Sequence, residues 1–514
     1  MTHLPSARRN TLTLAAACLA SLMFGLEISS VPVILPLLEA ALHGSFRDLQ
    51  WIMNAYTIAC TTVLMATGTL ADRYGRKRIF LICVFLFGVT SLVCGLAGST
   101  ALLIAGRFLQ GMAGGAMLVC QFAVLSQQFA DATARAKAFG IWGIVFGIGL
   151  GFGPIIGAGI VALWSWEWVF LVHVPISAIA LGLALVGVDE SRDPQRRRLD
   201  VAGIVSLSVA VLALAWFITQ GPVAGFGSVS SLASLIIASG SCVAFVVAER
   251  RADAPMFDFS VFRIRDFSGA LLGSMGMNFS FWPLMIYLPL LFQHGLGYGN
   301  VATGLSLLAY TLPTLVLPPL GERLALRYRA HTVIPAGLFA IGAGLLLMAW
   351  GSGTVRASWL TMLPGCLLAG TGLGIVNTPV TNTITASVCV ARTGMASGMD
   401  TSARLISLAI NIAVMGFILV EGVLSFLRRT LPTVDATLLR GLAERLSGGT
   451  AHAAGQGLST PTVPPDVAAA AMIQGMQWVM LYGGISVWIL ALCSVIVFGR
   501  RGAEHRSAVS KEVA

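Results

Sequence analysis

The feature that most constrains this chain is its succession of long apolar runs. A bilayer core takes about 20 apolar residues per helix. By that measure the 514-residue chain holds fourteen spans, roughly 13–36, 51–71, 79–98, 101–124, 137–163, 168–187, 201–220, 229–248, 268–292, 302–322, 332–350, 357–382, 397–424 and 472–498. Spans of this length predict an all-α integral membrane protein, because a helix satisfies its backbone polar groups within one segment. Only 11% of residues are charged, against about 25% in a soluble domain. Too few charges remain to clothe the several soluble domains such a length would otherwise form. That excludes a soluble enzyme, a secreted disulfide scaffold and a disordered chain. The first run continues past Glu27 to Pro36 with no convincing cleavage site, so it reads as a retained helix rather than a signal peptide.

The basic residues orient the spans. With the N-terminus in the cytoplasm, twenty-five of the 32 Lys and Arg residues fall on the inner side and six on the outer side. Arg107 alone falls inside a helix. Cytoplasmic loops carry such an excess, so the formal charge of +10 is a topology signal and predicts no nucleic-acid partner. The even count puts both termini inside. The inner segment from Asp189 to Arg198 is dense in charge. The outer loop at about 425–470 reads as flexible or as a docking surface, with a short amphipathic helix near Leu438 to Leu446. The nine cysteines lie in or beside apolar segments without a CxxC pair, so they read as packing residues, with no disulfide and no metal.

After the second span stands Gly68-Thr69-Leu70-Ala71-Asp72-Arg73-Tyr74-Gly75-Arg76-Lys77-Arg78. Gly75 permits a tight turn. Asp72, at a helix end, can accept from basic groups or from a facing helix N-terminus. The eleven residues resemble the GxLaDrxGrkr signature of the major facilitator superfamily, with Gly68, Asp72, Arg73, Gly75, Arg76 and Arg78 as the gating motif. Leu103, Arg107, Gln110 and Gly111 resemble that superfamily's fourth-helix motif. Gly149, Gly153, Pro154 and Gly157 resemble its antiporter motif, with Ala158 in place of the last glycine. Small residues at this spacing let helix backbones approach closely, and Pro154 favours a kink.

The span count is similar to that of the fourteen-helix drug:proton antiporter branch. Trp51, Tyr56, Leu35-Pro36 and Pro255 to Phe267 match it, with Glu27 where Asp is usual. His173 stands where Asn is common, and Trp166-Glu167-Trp168 replaces Trp-Arg-Trp. The resemblance implies a six-helix bundle over 1–190, an inserted two-helix segment over 191–262 and a second six-helix bundle over 263–514.

No lysine fits a P-loop, since Lys77, Lys137 and Lys511 are followed by Arg, Ala and Glu. The energy is therefore expected from a proton gradient, with no cofactor. That requires an acid at membrane depth, where charge costs roughly 2.5–3.5 kcal/mol on insertion scales. Asp400 lies four residues before Arg404, one turn away, and reads as a local ion pair or a coupling group. Glu421 lies near an outer helix end. Glu27 has no charged neighbour on its own helix and lies at a depth comparable to Arg107. The resemblance sets their helices side by side. An arginine there favours the carboxylate and desolvation favours the acid, so arriving substrate can tip the balance and release the proton.

The pocket expected between the halves draws on Glu27, Asn54, Gln121, Trp142, Asn278, Phe281, Trp282 and Asn377, with Tyr287, Asn382 and Asn411 as further polar or aromatic residues. Apolar walls, rings and one acid suit lipophilic cations. The expected function is proton-coupled export of such compounds across the inner membrane by a monomer. Export of a single metabolite or natural product is the alternative. A periplasmic adaptor with an outer-membrane channel is a compatible partner that nothing in the sequence requires.

Overall fold

The computed structural model describes residues 6–129, 131–191, 201–251, 259–354, 357–388, 393–448 and 463–499. Among these there is no strand. The α-helices are α1 (Ser6–Leu42), α2 (Phe46–Tyr74), α3 (Arg76–Gly95), α4 (Thr100–Gln128), α5 (Ala132–Leu163), α6 (Glu167–Leu171), α7 (His173–Gly187), α8 (Val201–Ala224) and α9 (Val229–Arg251). They continue with α10 (Arg265–Leu290), α11 (Asn300–Val316), α12 (Pro318–Tyr328), α13 (Ala330–Ser352), α14 (Trp359–Ala386), α15 (Thr393–Thr430), α16 (Ala436–Gly448) and α17 (Pro465–Phe498). Eleven spans are long and apolar enough to cross a membrane, and two bent pairs bring the number to 13. The 29-residue α2, read from the sequence as the second span, makes the expected fourteen compatible with this set.

Local chemistry sets several helix ends. Ser45 starts α2 with a capping box, its backbone N–H donating to Asp48 Oδ2 at 2.8 Å. Ser99 and Asp131 cap α4 and α5 by accepting from the N–H of Leu102 and Ala134. Helix α1 runs through Pro32 and Pro36 to Leu42, six residues beyond the span expected from hydropathy. Glu27 is therefore farther from its helix end than the apolar run suggested, because an apolar run marks membrane thickness and not where the backbone stops coiling.

Helices α1 to α7 pack on one another, as do α10 to α17. The two groups meet through α1 on α10, α5 on α11 and α2 on α15. Helices α8 and α9 pair with each other, and α8 leans on both α2 and α15. Ile58, Val211, Ala215 and Ala409 bury that three-way contact. Polar contacts between the two groups lie at the end that holds residues 33–50. Gln293 Nε2 donates to Val33 O at 3.3 Å, and Gln50 Nε2 to Tyr287 Oη at 3.4 Å.

Helix α16 covers this end. It buries Leu439, Leu442, Ala443 and Leu446. Arg47 pairs with Glu444 at 3.1 Å, and Arg440 with Glu421 at 2.9 Å. The short amphipathic helix expected near Leu438 to Leu446 is thus α16, and it is docked by an apolar stripe at helical spacing. Residues 449–462 of the same loop lie outside the described residues.

At the opposite end, α2 gives way to α3 at Gly75, which sits at φ 116°. A Cβ there would fall 2.5–2.8 Å from the Glu190 carboxylate. That carboxylate accepts from the backbone N–H of Lys77 at 3.2 Å and of Arg78 at 3.3 Å, capping α3. Gly75→Ala is expected to cost about 1–3 kcal/mol from backbone strain. Glu190→Gln should cost about 0.3–1 kcal/mol, the worth of one charge at a helix N-terminus. Thermal unfolding of the detergent-solubilised chain measures both, and the ranking fails if Glu190→Gln is the more damaging.

Candidate functional site

The deepest polar site lies among α1, α2, α3, α4 and α7. Glu27 and Arg107 are both 0% exposed. Arg107 Nη1 donates to Glu27 Oε1, a contact that their similar depth allows once the helices adjoin as the resemblance implies. The guanidinium is held on other sides as well. Nε donates to Ile52 O at 3.2 Å and Nη1 to Gln110 Oε1 at 2.8 Å. Gln110 is fixed in turn by donating to Ser91 Oγ at 2.9 Å. The Tyr56 ring lies 4.2 Å below the guanidinium, a cation–π contact. A buried charge persists only when it is paired and hydrogen-bonded in this way.

Glycines make that approach of helices feasible. A Cβ on Gly149 would meet Leu22 O at 2.9 Å and Leu26 N at 3.1 Å, and one on Gly157 would meet Ser30 Cβ at 2.8 Å. Gly153 faces Ser29, whose hydroxyl donates to Gly149 O at 3.0 Å. The expected antiporter motif is thus the seam between α5 and α1, the helix that bears Glu27. Pro154 turns its carbonyl side toward Gly304 of α11, so the same stretch also meets the other half.

Aromatic rings lead from this ion pair along α5. Tyr56 and Phe24 lie 6.2 Å apart, as do Phe24 and Phe146, and Phe146 stacks on Trp142 at 5.4 Å. Trp142 Nε1 donates to Gln121 Oε1 at 2.6 Å. Both side-chain atoms of Asn54, and Gln121 Nε2, are buried without a hydrogen-bond partner. Asn54 is one turn from Gln50, the residue that reaches Tyr287 of the second half. The candidates Glu27, Asn54, Gln121 and Trp142 therefore belong to one half, around one line of rings.

The candidates of the second half divide differently. Asn278 donates to Ser274 O at 3.0 Å, and Asn377 accepts from Arg404 Nη1 at 2.7 Å. Both border a network in which Asp400 pairs with Arg404 at 3.0 Å and accepts from Ser274. Phe281 was expected in the pocket but stacks on Tyr310 at 3.9 Å and is buried in the core, with Trp282 packed edge-on against it. A phenylalanine six residues before Tyr287 gives no sequence sign of which partner it will stack on.

In the loop motif, Arg76 Nη1 donates to Gln127 Oε1 at 3.0 Å and Lys77 Nζ to Leu185 O at 2.7 Å. The side chains of Gly68, Asp72 and Arg73 lie outside the described residues. Glu190 caps α3, a role the sequence reading did not assign to it. Its only sequence signal was its place at the end of the sixth span.

A Major Facilitator Superfamily profile matches residues 17–411. Multidrug resistance protein Stp of Mycobacterium tuberculosis is 34% identical over 412 residues, covering 80% of this chain and 76% of Stp. Multidrug efflux pump LfrA of Mycolicibacterium smegmatis is 27% identical over 499 residues, covering 96% and 97% of the two chains. The tetracenomycin C resistance and export protein of Streptomyces glaucescens is 30% identical over 416 residues, 80% of this chain and 76% of that one. Among solved structures, a POT family transporter in complex with 5-aminolevulinic acid is similar in fold, with a TM-score of 0.64 at 13% identity over 96% of each chain.

Removing one partner of a buried ion pair strands the other. Arg107→Met is expected to cost about 3–5 kcal/mol, and adding Glu27→Gln should recover most of it. A double-mutant cycle on thermal unfolding in detergent tests this, and additive losses would refute the coupling.

Proposed function

The chain belongs to the Major Facilitator Superfamily, and on that premise we propose that it exports lipophilic, chiefly cationic, compounds in exchange for protons. It is a multi-pass membrane transporter of small molecules and not an enzyme. The observation that carries the proton reading is the Glu27–Arg107 pair. It is an acid fully removed from water, held by a cation on Oε1 while Oε2 makes no hydrogen bond. An oxygen without a donor can take a proton without first breaking a contact. The rings from Tyr56 to Trp142 supply faces for a flat cation beside that acid.

Each proton moved inward across 100 mV supplies about 2.3 kcal/mol, enough with a pH gradient for tenfold accumulation. In the proposed cycle the outer end closes through Gln50–Tyr287, Gln293–Val33 and α16, the state in which Glu27 is buried. Reopening breaks these contacts while the α1–α5 seam, with Gly149, Gly153, Pro154 and Gly157, moves as a unit. The loop motif of Gly68, Asp72, Arg73, Gly75, Arg76 and Arg78 is the proposed inner gate. The proposed setting is a monomer in the inner membrane with both termini cytoplasmic. A second reading, export of one natural product, draws on the relative named for tetracenomycin C. A substrate panel in an efflux-deficient host separates the two.

Glu27→Gln keeps an acceptor for Arg107 but cannot exchange a proton. We expect it to insert normally and to lose protonophore-sensitive efflux of ethidium from cells. Wild-type efflux rates in that variant would sink the proton reading.

A further inference from the structure

The environment of Glu27 is lopsided. Arg107 occupies Oε1, and His173 Nδ1 lies 3.5 Å from Oε2. His173 begins α7, one residue after the break that separates it from α6, and is 1% exposed. Its Nδ1 lies 3.2 Å from Phe170 O, so Nδ1–H donates there in the neutral ring. Nε2 then offers a lone pair, and it is buried with no hydrogen-bond partner. The ring meets Phe87 edge-on at 5.7 Å. A buried polar atom left unpaired costs about 1–3 kcal/mol, and a residue serving only as packing there would do better without nitrogen. An imidazole exchanges its proton near neutral pH.

We propose that His173 is the second member of the proton site, and that the transported proton is shared between Glu27 Oε2 and the imidazole while Arg107 stays on Oε1. This rests on the proton-coupled reading above. In the empty state the carboxylate, guanidinium and neutral imidazole sum to zero charge. One added proton gives either imidazolium beside carboxylate, or carboxylic acid donating to Nδ1 with the ring proton on Nε2. Both forms carry +1, and release returns the site to zero with no other reactant. A cationic substrate raises the electrostatic cost of that extra charge and expels the proton.

The titratable and charged groups around the site are Glu27 on α1, Tyr56 and Cys60 on α2, Cys94 on α3 and Arg107 on α4. Glu167 stands six positions before His173, at the start of α6. Among these, Arg107 is the fixed cation. It sits on the far oxygen of Glu27, which leaves the His173 side for the mobile proton.

The test uses the full chain in proteoliposomes, with ethidium as probe and a pH dye for substrate-induced proton release. His173→Asn retains an amide N–H for Oε2 but cannot bind a proton. Its midpoint for proton release is expected to fall by about one pH unit or more, a tenfold weaker proton affinity. His173→Gln, a second amide, should shift the same way and serves if the shorter variant inserts poorly. An unchanged midpoint in an inserted amide variant, with Glu27→Gln inactive, overturns the role of His173 alone. Glu27→Gln transport that still responds to protonophore overturns the proton-site reading on which it rests.

Discussion

The first half of the molecule depends on keeping one ion pair out of water. Taking a carboxylate and a guanidinium from water costs several kcal/mol per ion, returned only by good geometry and further hydrogen bonds. Arg107 has them in Ile52 O, Gln110 and the Tyr56 face. Those partners come from α2 and α4, whose contact is close because Gly111 and Gly115 lie against the Tyr56 and Cys60 backbones. Glu27 is brought to them by α1, which rests on the glycine seam of α5. Helix packing in lipid has little hydrophobic drive, so small residues and this polar centre take up the task. The seam and the ion pair are parts of one solution.

The two ends of the molecule are tied by different chemistry. At the Arg47 end the ties run between the halves: a buried apolar cluster joins Val33, Leu38 and Leu49 to Leu291, Leu439 and Leu446, and pairs such as Arg47–Glu444 lie partly exposed around it. Exposed pairs are each worth about 0–1 kcal/mol, so the apolar contacts carry most of that closure. At the Gly75 end the described ties run within the first half, from Glu190, Gln127 and Leu185 to the motif loop. They hold the loop against its own bundle.

What could be read from the sequence follows from what is rare in lipid. Glu27 and Arg107 were legible because charge at membrane depth is costly, and their similar depth, with the helix neighbourhood the family resemblance implies, allowed the pairing that α1 and α4 deliver. Gly75 was legible because a tight turn between two spans requires a positive φ. Glu190 and His173 were not, since each owes its position to a neighbour eighty or more residues away: Lys77 in one case and Glu27 in the other. The packing of the aromatic candidates in the second half was not legible for a related reason. Hydropathy places Phe281 in a span but is silent on the face it takes, and Tyr310 takes it. The loop near 425–470 was half legible, since the stripe Leu439, Leu442, Ala443, Leu446 has helical period while its docking site has none.

The second half holds its own buried acid, and comparing the two suggests where exchange can occur. Asp400 Oδ1 is bonded to Arg404 Nε and Ser274, and its Oδ2 lies 3.4 Å from the Thr381 hydroxyl. Arg404 is bonded further to Asn377 and Thr381. Protonating Asp400 would break bonds on both oxygens and unsettle α10 and α14 together. Glu27 keeps one oxygen without a hydrogen bond, beside an imidazole with an unpartnered nitrogen. Saturated valence holds a network in one state, and spare valence lets a site take up a proton and return it. On that ground Asp400 fastens three helices of the second half, and the spare valence lies at Glu27, where the proposed proton exchange is placed.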